Sequence, residues 1–149
     1  MDSSRSRPAG RHLVVLLDDE PRILASLARL LRNDPLELLA TEAPDEALEW
    51  IRTRGVSLVI ADYRMPAMDG IRFLESVREI TPSVIRFMIT GYPGESLVLK
   101  CLERGLLEVI PKPWDNDQLR GMILDRLREV DSRKHPHPLS NREASPASP

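Results

Sequence analysis

Short apolar runs alternate with longer amphipathic stretches through the middle of the chain. Residues 13–17 are continuously apolar, and residues 56–61 are apolar apart from Ser57; both runs are partly β-branched, a pattern typical of strands that are buried on both faces. Residues 36–41, 84–89 and 109–110 predict three further short strands. The pattern therefore indicates a sheet of five strands with a largely buried centre.

An amphipathic stretch with apolar residues at helical spacing follows each predicted strand. Pro21 and Pro44 open the first two of these helices, where the missing N–H of proline does no harm. The third helix follows the turn at residues 69–70, the fourth covers residues 95–104, and Asp115 caps the fifth. Strands joined by helical crossovers run parallel, so we predict an α/β fold, a doubly wound five-stranded parallel sheet with helices on both faces.

The two ends of the chain differ in composition from the middle. The chain has 149 residues, enough for one domain with a substantial core. Residues 1–11 and 131–149 are polar, and the second segment is rich in proline, so we expect both to be disordered. This leaves residues 12–130 as the domain, and no output domain is expected after it.

Composition and charge narrow the classes of function. The formal net charge is -2, from 21 basic and 23 acidic side chains, which offers no electrostatic reason to expect a nucleic-acid or membrane surface. Cys101 is the single cysteine, so no intramolecular disulfide forms, and its helical spacing predicts a packing role. The apolar run at 13–17 is shorter than the roughly 7–15 residues of a signal peptide core, and no run approaches the roughly 20 needed for a membrane span. We therefore expect a cytoplasmic protein.

Polar side chains that can carry chemistry stand at the ends of four predicted strands. Function in an open parallel sheet gathers outside the carboxyl ends of its strands. The residues at those ends are Asp18-Asp19-Glu20, Asp62, Thr90-Gly91 and Lys112-Pro113. An acidic group, a lone carboxylate, a hydroxyl and an ammonium group are thus expected to converge at one edge.

The acidic first turn argues against nucleotide binding and for a divalent cation. A dinucleotide-binding fold would place a glycine-rich loop there, whereas Asp18 and Asp19 would repel a bare phosphate. Two unit charges about 5 Å apart repel by roughly 3 kcal/mol at an effective dielectric constant of about 20. A cluster with Asp62 is therefore costly unless Mg²⁺, which prefers oxygen ligands, and Lys112 compensate the charge.

In these residues the chain resembles the receiver domains of response regulators, over roughly residues 11–130. The motifs that carry the resemblance are 16–20 (LLDDE), 59–70 (VIADYRMPAMDG), 89–91 (ITG) and 111–114 (PKPW). The resemblance implies a flavodoxin-like strand order 2-1-3-4-5. It also implies a phosphoprotein of two-component signal transduction, phosphorylated by a sensor histidine kinase or a histidine phosphotransfer protein. Only self-phosphorylation from small phosphodonors and self-dephosphorylation are expected, not enzymatic turnover.

The resemblance also implies a role for each matching residue. Asp62 is expected to form the aspartyl phosphate. Mg²⁺ is expected to be held by Asp18, Asp19 and Asp62 and by the backbone carbonyl of Arg64. Lys112 is expected to pair with a phosphoryl oxygen, and its bond to Pro113 to be cis.

Thr90 is expected to hydrogen-bond the phosphoryl group and to shift on activation. One position departs from the usual family pattern, because Val109 stands where many receivers carry a switch aromatic. Activation is then relayed by the Thr90 loop and the fourth helix alone, or the output surface is altered. The bulky residues Arg64 and Tyr92 flank the site, and we expect them to hinder the attacking water and to prolong the life of the phosphate.

The expected partners follow from the same resemblance, and two other functions are weighed against it. Besides the kinase, we expect an output protein of unknown identity and a homodimer through the fourth and fifth helices. A phosphatase of the haloacid dehalogenase type requires a second Asp two residues after the nucleophile, where Arg64 stands. A binding module that is never phosphorylated stays open because of Val109. Simpler roles also stay open: helix capping by Asp18 or Asp19, a turn hydroxyl at Thr90 and a solvated Lys112.

Overall fold

The computed structural model describes residues 11–91, 94–103 and 108–134. Five strands and five helices alternate along this part of the chain. The strands are β1 (His12–Leu17), β2 (Leu36–Thr41), β3 (Leu58–Asp62), β4 (Ile85–Thr90) and β5 (Glu108–Pro111). The helices are α1 (Pro21–Leu31), α2 (Pro44–Thr53), α3 (Gly70–Ile80), α4 (Glu95–Glu103) and α5 (Asn116–Lys134).

The strands form one parallel sheet in the order β2-β1-β3-β4-β5, as predicted. From β1 the next strand along the chain, β2, lies on one side, whereas β3 and the strands after it lie on the other. β1 and β3 are neighbours, and Leu17 pairs with Ala61. The residues that follow these two strands therefore emerge side by side. This switch point is where ligand sites of doubly wound sheets form.

The sheet is covered on both faces, and alternation within β1 assigns each side chain to a face. Leu13, Val15 and Leu17 belong to a core cluster with residues of α2 and α3. Val14 and Leu16 belong to a second cluster, with residues of α1 and α5. Cys101 is fully buried in the first cluster, which confirms the packing role predicted for it. A continuous apolar strand is required here because both of its faces are dry.

The helix starts follow the predicted local chemistry. Pro21 and Pro44 occupy the first turns of α1 and α2. The Asp69 carboxylate accepts a hydrogen bond from the backbone N–H of Arg72 at 2.9 Å, and the Asp115 carboxylate accepts one from that of Gln118 at 2.8 Å. These caps satisfy backbone donors that the helix itself leaves open.

The predicted fifth helix is longer in the structure than in the sequence pattern. The segment expected to be a disordered tail, 131–149, begins inside α5, which continues through Lys134. The Asp131 carboxylate lies 3.0 Å from the His12 imidazole, whose other nitrogen lies 2.8 Å from the Ser57 hydroxyl, and these contacts hold the last turn against the sheet. Residues 1–10 and 135–149 lie outside the described residues, as does the predicted helix end at Arg104. None of the described helices combines the length and the apolar composition that a membrane span requires.

Candidate functional site

Two buried carboxylates meet at the switch point of the sheet. Asp62 is the last residue of β3, and Asp18 follows β1 directly. Only 3% of Asp18 and 5% of Asp62 is exposed to solvent. The Asp18 carboxylate also accepts a hydrogen bond from the backbone N–H of Glu20 at 2.8 Å, which shapes the turn into α1. Asp18 thus organises the turn before the helix, while its second oxygen faces the site.

Lys112 comes from the far side of the sheet and joins these carboxylates. Its Nζ atom lies 2.9 Å from Asp62 Oδ1 and 3.4 Å from Asp18 Oδ2. Its backbone N–H donates to the carbonyl oxygen of Thr90 at 2.8 Å, which fixes the residue beside the end of β4. The peptide bond from Lys112 to Pro113 is cis, as predicted. The alternative of a solvated lysine is wrong, because the side chain is largely buried among carboxylates.

Burial makes the negative charge at this corner costly. Desolvation raises the pKa of Asp18 to about 6 from its ordinary value of 3.8. The hydrogen bond from Glu20 lowers this pKa, and the negative charge of Asp62 raises it further. Desolvation also raises the pKa of Asp62, although the hydrogen bond and the charge of Lys112 oppose it. The site therefore favours groups that bring positive charge.

Lys112 remains charged in spite of its burial. Desolvation by itself lowers the pKa of an ammonium group, but the hydrogen bond to Asp62 and the charges of Asp18 and Asp62 outweigh it, so the pKa of Lys112 is raised. A permanent cation thus stands 2.9 Å from the Asp62 carboxylate.

The acidic turn after β1 has the donor set of a cation site. Carboxylate oxygens of Asp18, Asp19 and Glu20 can all lie within 4.8 Å of one another. Hard divalent cations prefer such oxygens, so these residues fit Mg²⁺. Asp62 is outside this group of three and meets Asp18 through Lys112, while Arg64 lies exposed in the loop after β3.

Thr90 and Gly70 lie near the end of β3, beside Asp62. Thr90 ends β4 and is buried, with 2% exposed. Gly70 begins α3 so close to Asp62 that a β-carbon on it would lie 2.5 Å from the Asp62 carbonyl oxygen. Glycine therefore allows the start of α3 to abut the phosphoacceptor candidate. Val109 is half-buried against the core, and Tyr92 lies outside the described residues.

Glu20 is the site residue whose contact sequence reasoning did not find. Its Oε1 atom lies 3.3 Å from Lys112 Nζ, although 92 residues separate the two. The signal available was its place in the Asp-Asp-Glu run, but a residue just before a helix suggests capping instead. Beside Lys112, a cleft of about 610 Å³ opens between α1 and the turn into α5, with Ile23, Leu30 and Trp114 in its walls.

Comparison with known proteins places the chain in a family. The family described as "Response regulator receiver domain" matches residues 14–124. The hydrogenase transcriptional regulatory protein HoxA of Cupriavidus necator is 36% identical over 118 residues, which is 78% of this chain and 23% of that protein. The DNA-binding transcriptional regulator NtrC of Klebsiella pneumoniae is 23% identical over 85% of this chain and 27% of its own length. The chain thus spans about a quarter of these curated relatives.

Solved structures agree with the sequence comparison. A CheY-like response regulator receiver domain protein from Methanospirillum hungatei superposes with a TM-score of 0.77 and 25% identity, over 83% of this chain and 99% of that one. The signal receiver domain of an HD domain-containing protein from Pseudomonas fluorescens gives a TM-score of 0.78 and 29% identity, over 87% and 96%. The matched span and the strand order of the sheet both agree with this family, and the chain belongs to the response regulator receiver domains of two-component signal transduction.

Proposed function

We propose that this receiver accepts a phosphoryl group on Asp62 from a sensor histidine kinase or a histidine phosphotransfer protein. The observation that carries the proposal is the approach of Lys112 Nζ to Asp62 Oδ1 at 2.9 Å in a buried corner. A carboxylate is a competent phosphoryl acceptor, and phosphoryl transfer asks the protein mainly for positioning and charge neutralisation. The receiver unit of this proposal covers residues 12–130.

The transfer forms one bond and breaks another. An Asp62 carboxylate oxygen bonds to phosphorus while the bond from phosphorus to the donor breaks, and the leaving group keeps the electron pair. Acetyl phosphate releases acetate, and a phosphohistidine releases imidazole, which is neutral because its other nitrogen carries a proton. Lys112 pairs with a phosphoryl oxygen, and Thr90 donates its hydroxyl hydrogen to another.

A divalent cation completes the charge balance of this corner. When bound, Mg²⁺ neutralises charge on the phosphoryl oxygens. We propose that its protein ligands are the carboxylates of Asp18, Asp19 and Asp62 and the backbone carbonyl of Arg64. The grouping of the Asp18 and Asp19 carboxylate oxygens within 4.8 Å of each other supports the first two ligands, and a cation there would offset the buried charge of Asp18.

Partner contacts and output are further parts of the proposal. The cleft beside Lys112 offers a phosphodonor protein apolar contact next to the acceptor. We also propose a homodimer through α4 and α5, in which Leu99 on α4, which is 52% exposed, would be one apolar contact. The curated relatives are named as transcriptional regulators, and this chain spans about a quarter of their length, so they do not support the expectation of a stand-alone receiver or of action without nucleic acid. We also propose that the protein resides in the cytoplasm.

Incubation with acetyl phosphate and Mg²⁺, followed by intact-mass measurement, tests the proposal. We expect the wild-type chain to gain one phosphoryl group, and Asp62→Asn and an EDTA-treated sample to gain none. Asp45→Asn is the matched control, because Asp45 is an exposed carboxylate in the first turn of α2. Folded wild-type protein that stays unmodified would favour the binding module, and modification that persists in Asp62→Asn would place the acceptor elsewhere.

A further inference from the structure

Glu20 stands at the N-cap of α1 without capping it. Its side chain makes no hydrogen bond to the N–H groups of the first helical turn. Serine, threonine, asparagine and aspartate are the residues that usually cap a helix in that way. Here the carboxylate reaches instead to Lys112, at the end of the site formed by β5. The Glu20 side chain thus contributes to the site, while its backbone carbonyl accepts the first hydrogen bonds of α1, from Ile23 and Leu24.

The three carboxylates around Lys112 differ in freedom to move. Asp62 and Asp18 lie 2.9 Å and 3.4 Å from its Nζ atom, and both side chains are almost fully buried. The Glu20 side chain, at 3.3 Å, is 58% exposed. The Glu20 carboxylate can therefore leave Lys112 and be solvated by water at little cost in free energy. The buried carboxylates of Asp18 and Asp62 cannot be solvated without moving out of the core.

We propose that Glu20 is a positioning residue that restrains phosphoryl binding by competing for the ammonium group of Lys112. This inference rests on the proposed phosphorylation of Asp62. A phosphoryl group on Asp62 requires Lys112 as a partner, and the Glu20 carboxylate must first release it. The exposed carboxylate also repels an incoming phosphodonor, which carries negative charge itself.

The expected effect is small but measurable. Exposed ion pairs contribute little, so releasing Lys112 from Glu20 should favour phosphoryl binding about two- to fivefold. Because salt screens exposed charges, the effect should shrink at an ionic strength of about 0.5 M. Substitution of Glu20 should not destabilise α1, since its side chain does not cap that helix.

The test compares wild type with Glu20→Gln, using beryllofluoride as the phosphoryl mimic. The dissociation constant of beryllofluoride from each protein is measured by tryptophan fluorescence at saturating Mg²⁺. Trp114, two residues from Lys112, serves as the reporter. The affinity for Mg²⁺ alone is titrated separately, and thermal unfolding checks the fold. Glu42→Gln is the matched control: Glu42 is exposed and follows β2, which is at the opposite end of the sheet from β5.

We expect Glu20→Gln to bind beryllofluoride about two- to fivefold more tightly than wild type at low salt, and Glu42→Gln to match wild type. An unchanged constant in Glu20→Gln, or an equal gain in Glu42→Gln, overturns the inference. Weaker binding that follows a loss of Mg²⁺ affinity also overturns it and makes Glu20 a cation ligand. A wild-type chain that neither binds beryllofluoride nor is phosphorylated removes the proposed function itself, which distinguishes the two failures.

Discussion

Asp18→Asn should stabilise the metal-free protein at neutral pH, although it removes a proposed Mg²⁺ ligand. The Asp18 carboxylate is 3% exposed, and its burial is the largest cause of a pKa of about 6. Asparagine has the same shape and can still accept the hydrogen bond from the Glu20 N–H. Lys112 keeps Asp62 and Glu20 as partners. The substitution therefore removes a costly charge and leaves the local contacts in place.

The magnitude follows from the elevated pKa. A rise from 3.8 to about 6, at about 1.4 kcal/mol per pH unit, corresponds to roughly 3 kcal/mol, and coupling to Asp62 and Lys112 makes this an upper value. Because the folded pKa is raised, the folded state binds more protons than the unfolded state between these pH values. Stability contributed by this group is therefore lost as pH rises through that window. We expect Asp18→Asn to gain about 1–3 kcal/mol above about pH 7 and nothing near pH 4.

Urea unfolding in EDTA at pH 7.5 and pH 4 measures this difference. Asp19→Asn is the control, since Asp19 is more exposed than Asp18, and its substitution should change the free energy of unfolding much less. Adding Mg²⁺ should stabilise the wild type more than Asp18→Asn. An Asp18→Asn protein that is no more stable than wild type at pH 7.5, or equally more stable at both pH values, would refute the reasoning.

Two further outcomes are expected. Gly70→Ala should lower the free energy of unfolding in urea by about 1–3 kcal/mol and impair phosphorylation, because the new β-carbon would press on the Asp62 backbone. Gly121→Ala in α5, where a β-carbon meets open space, should instead raise the free energy of unfolding by about 0.5–1 kcal/mol. Equal effects of the two substitutions would contradict the steric reason. An Arg64→Ala, Tyr92→Ala double variant, phosphorylated and then freed of donor, should lose its phosphate severalfold faster by intact-mass measurement, and an unchanged half-life would count against the shielding role of these side chains.

The site was predictable only to the level of which residues gather at one edge. Local pattern identified Asp18, Asp62, Thr90 and Lys112 because each directly follows or ends a strand, and parallel strands bring those ends together. The pattern does not specify which atoms meet. That Lys112 touches Asp18, Asp62 and Glu20 at once depends on side-chain directions set by packing.

The sequence by itself determined the elements, their order along the chain and the two-sided burial of the sheet, because hydrophobic periodicity and turn chemistry are local properties. Tertiary structure decided what joins distant segments. The last turn of α5 forms where composition suggested a tail, and Asp131 in that turn contacts His12 of β1, which lies 119 positions earlier in the chain (131 − 12). The Glu20 side chain likewise contacts Lys112 and does not cap its own helix. Such a contact between distant residues forms only after the sheet has brought their strands together.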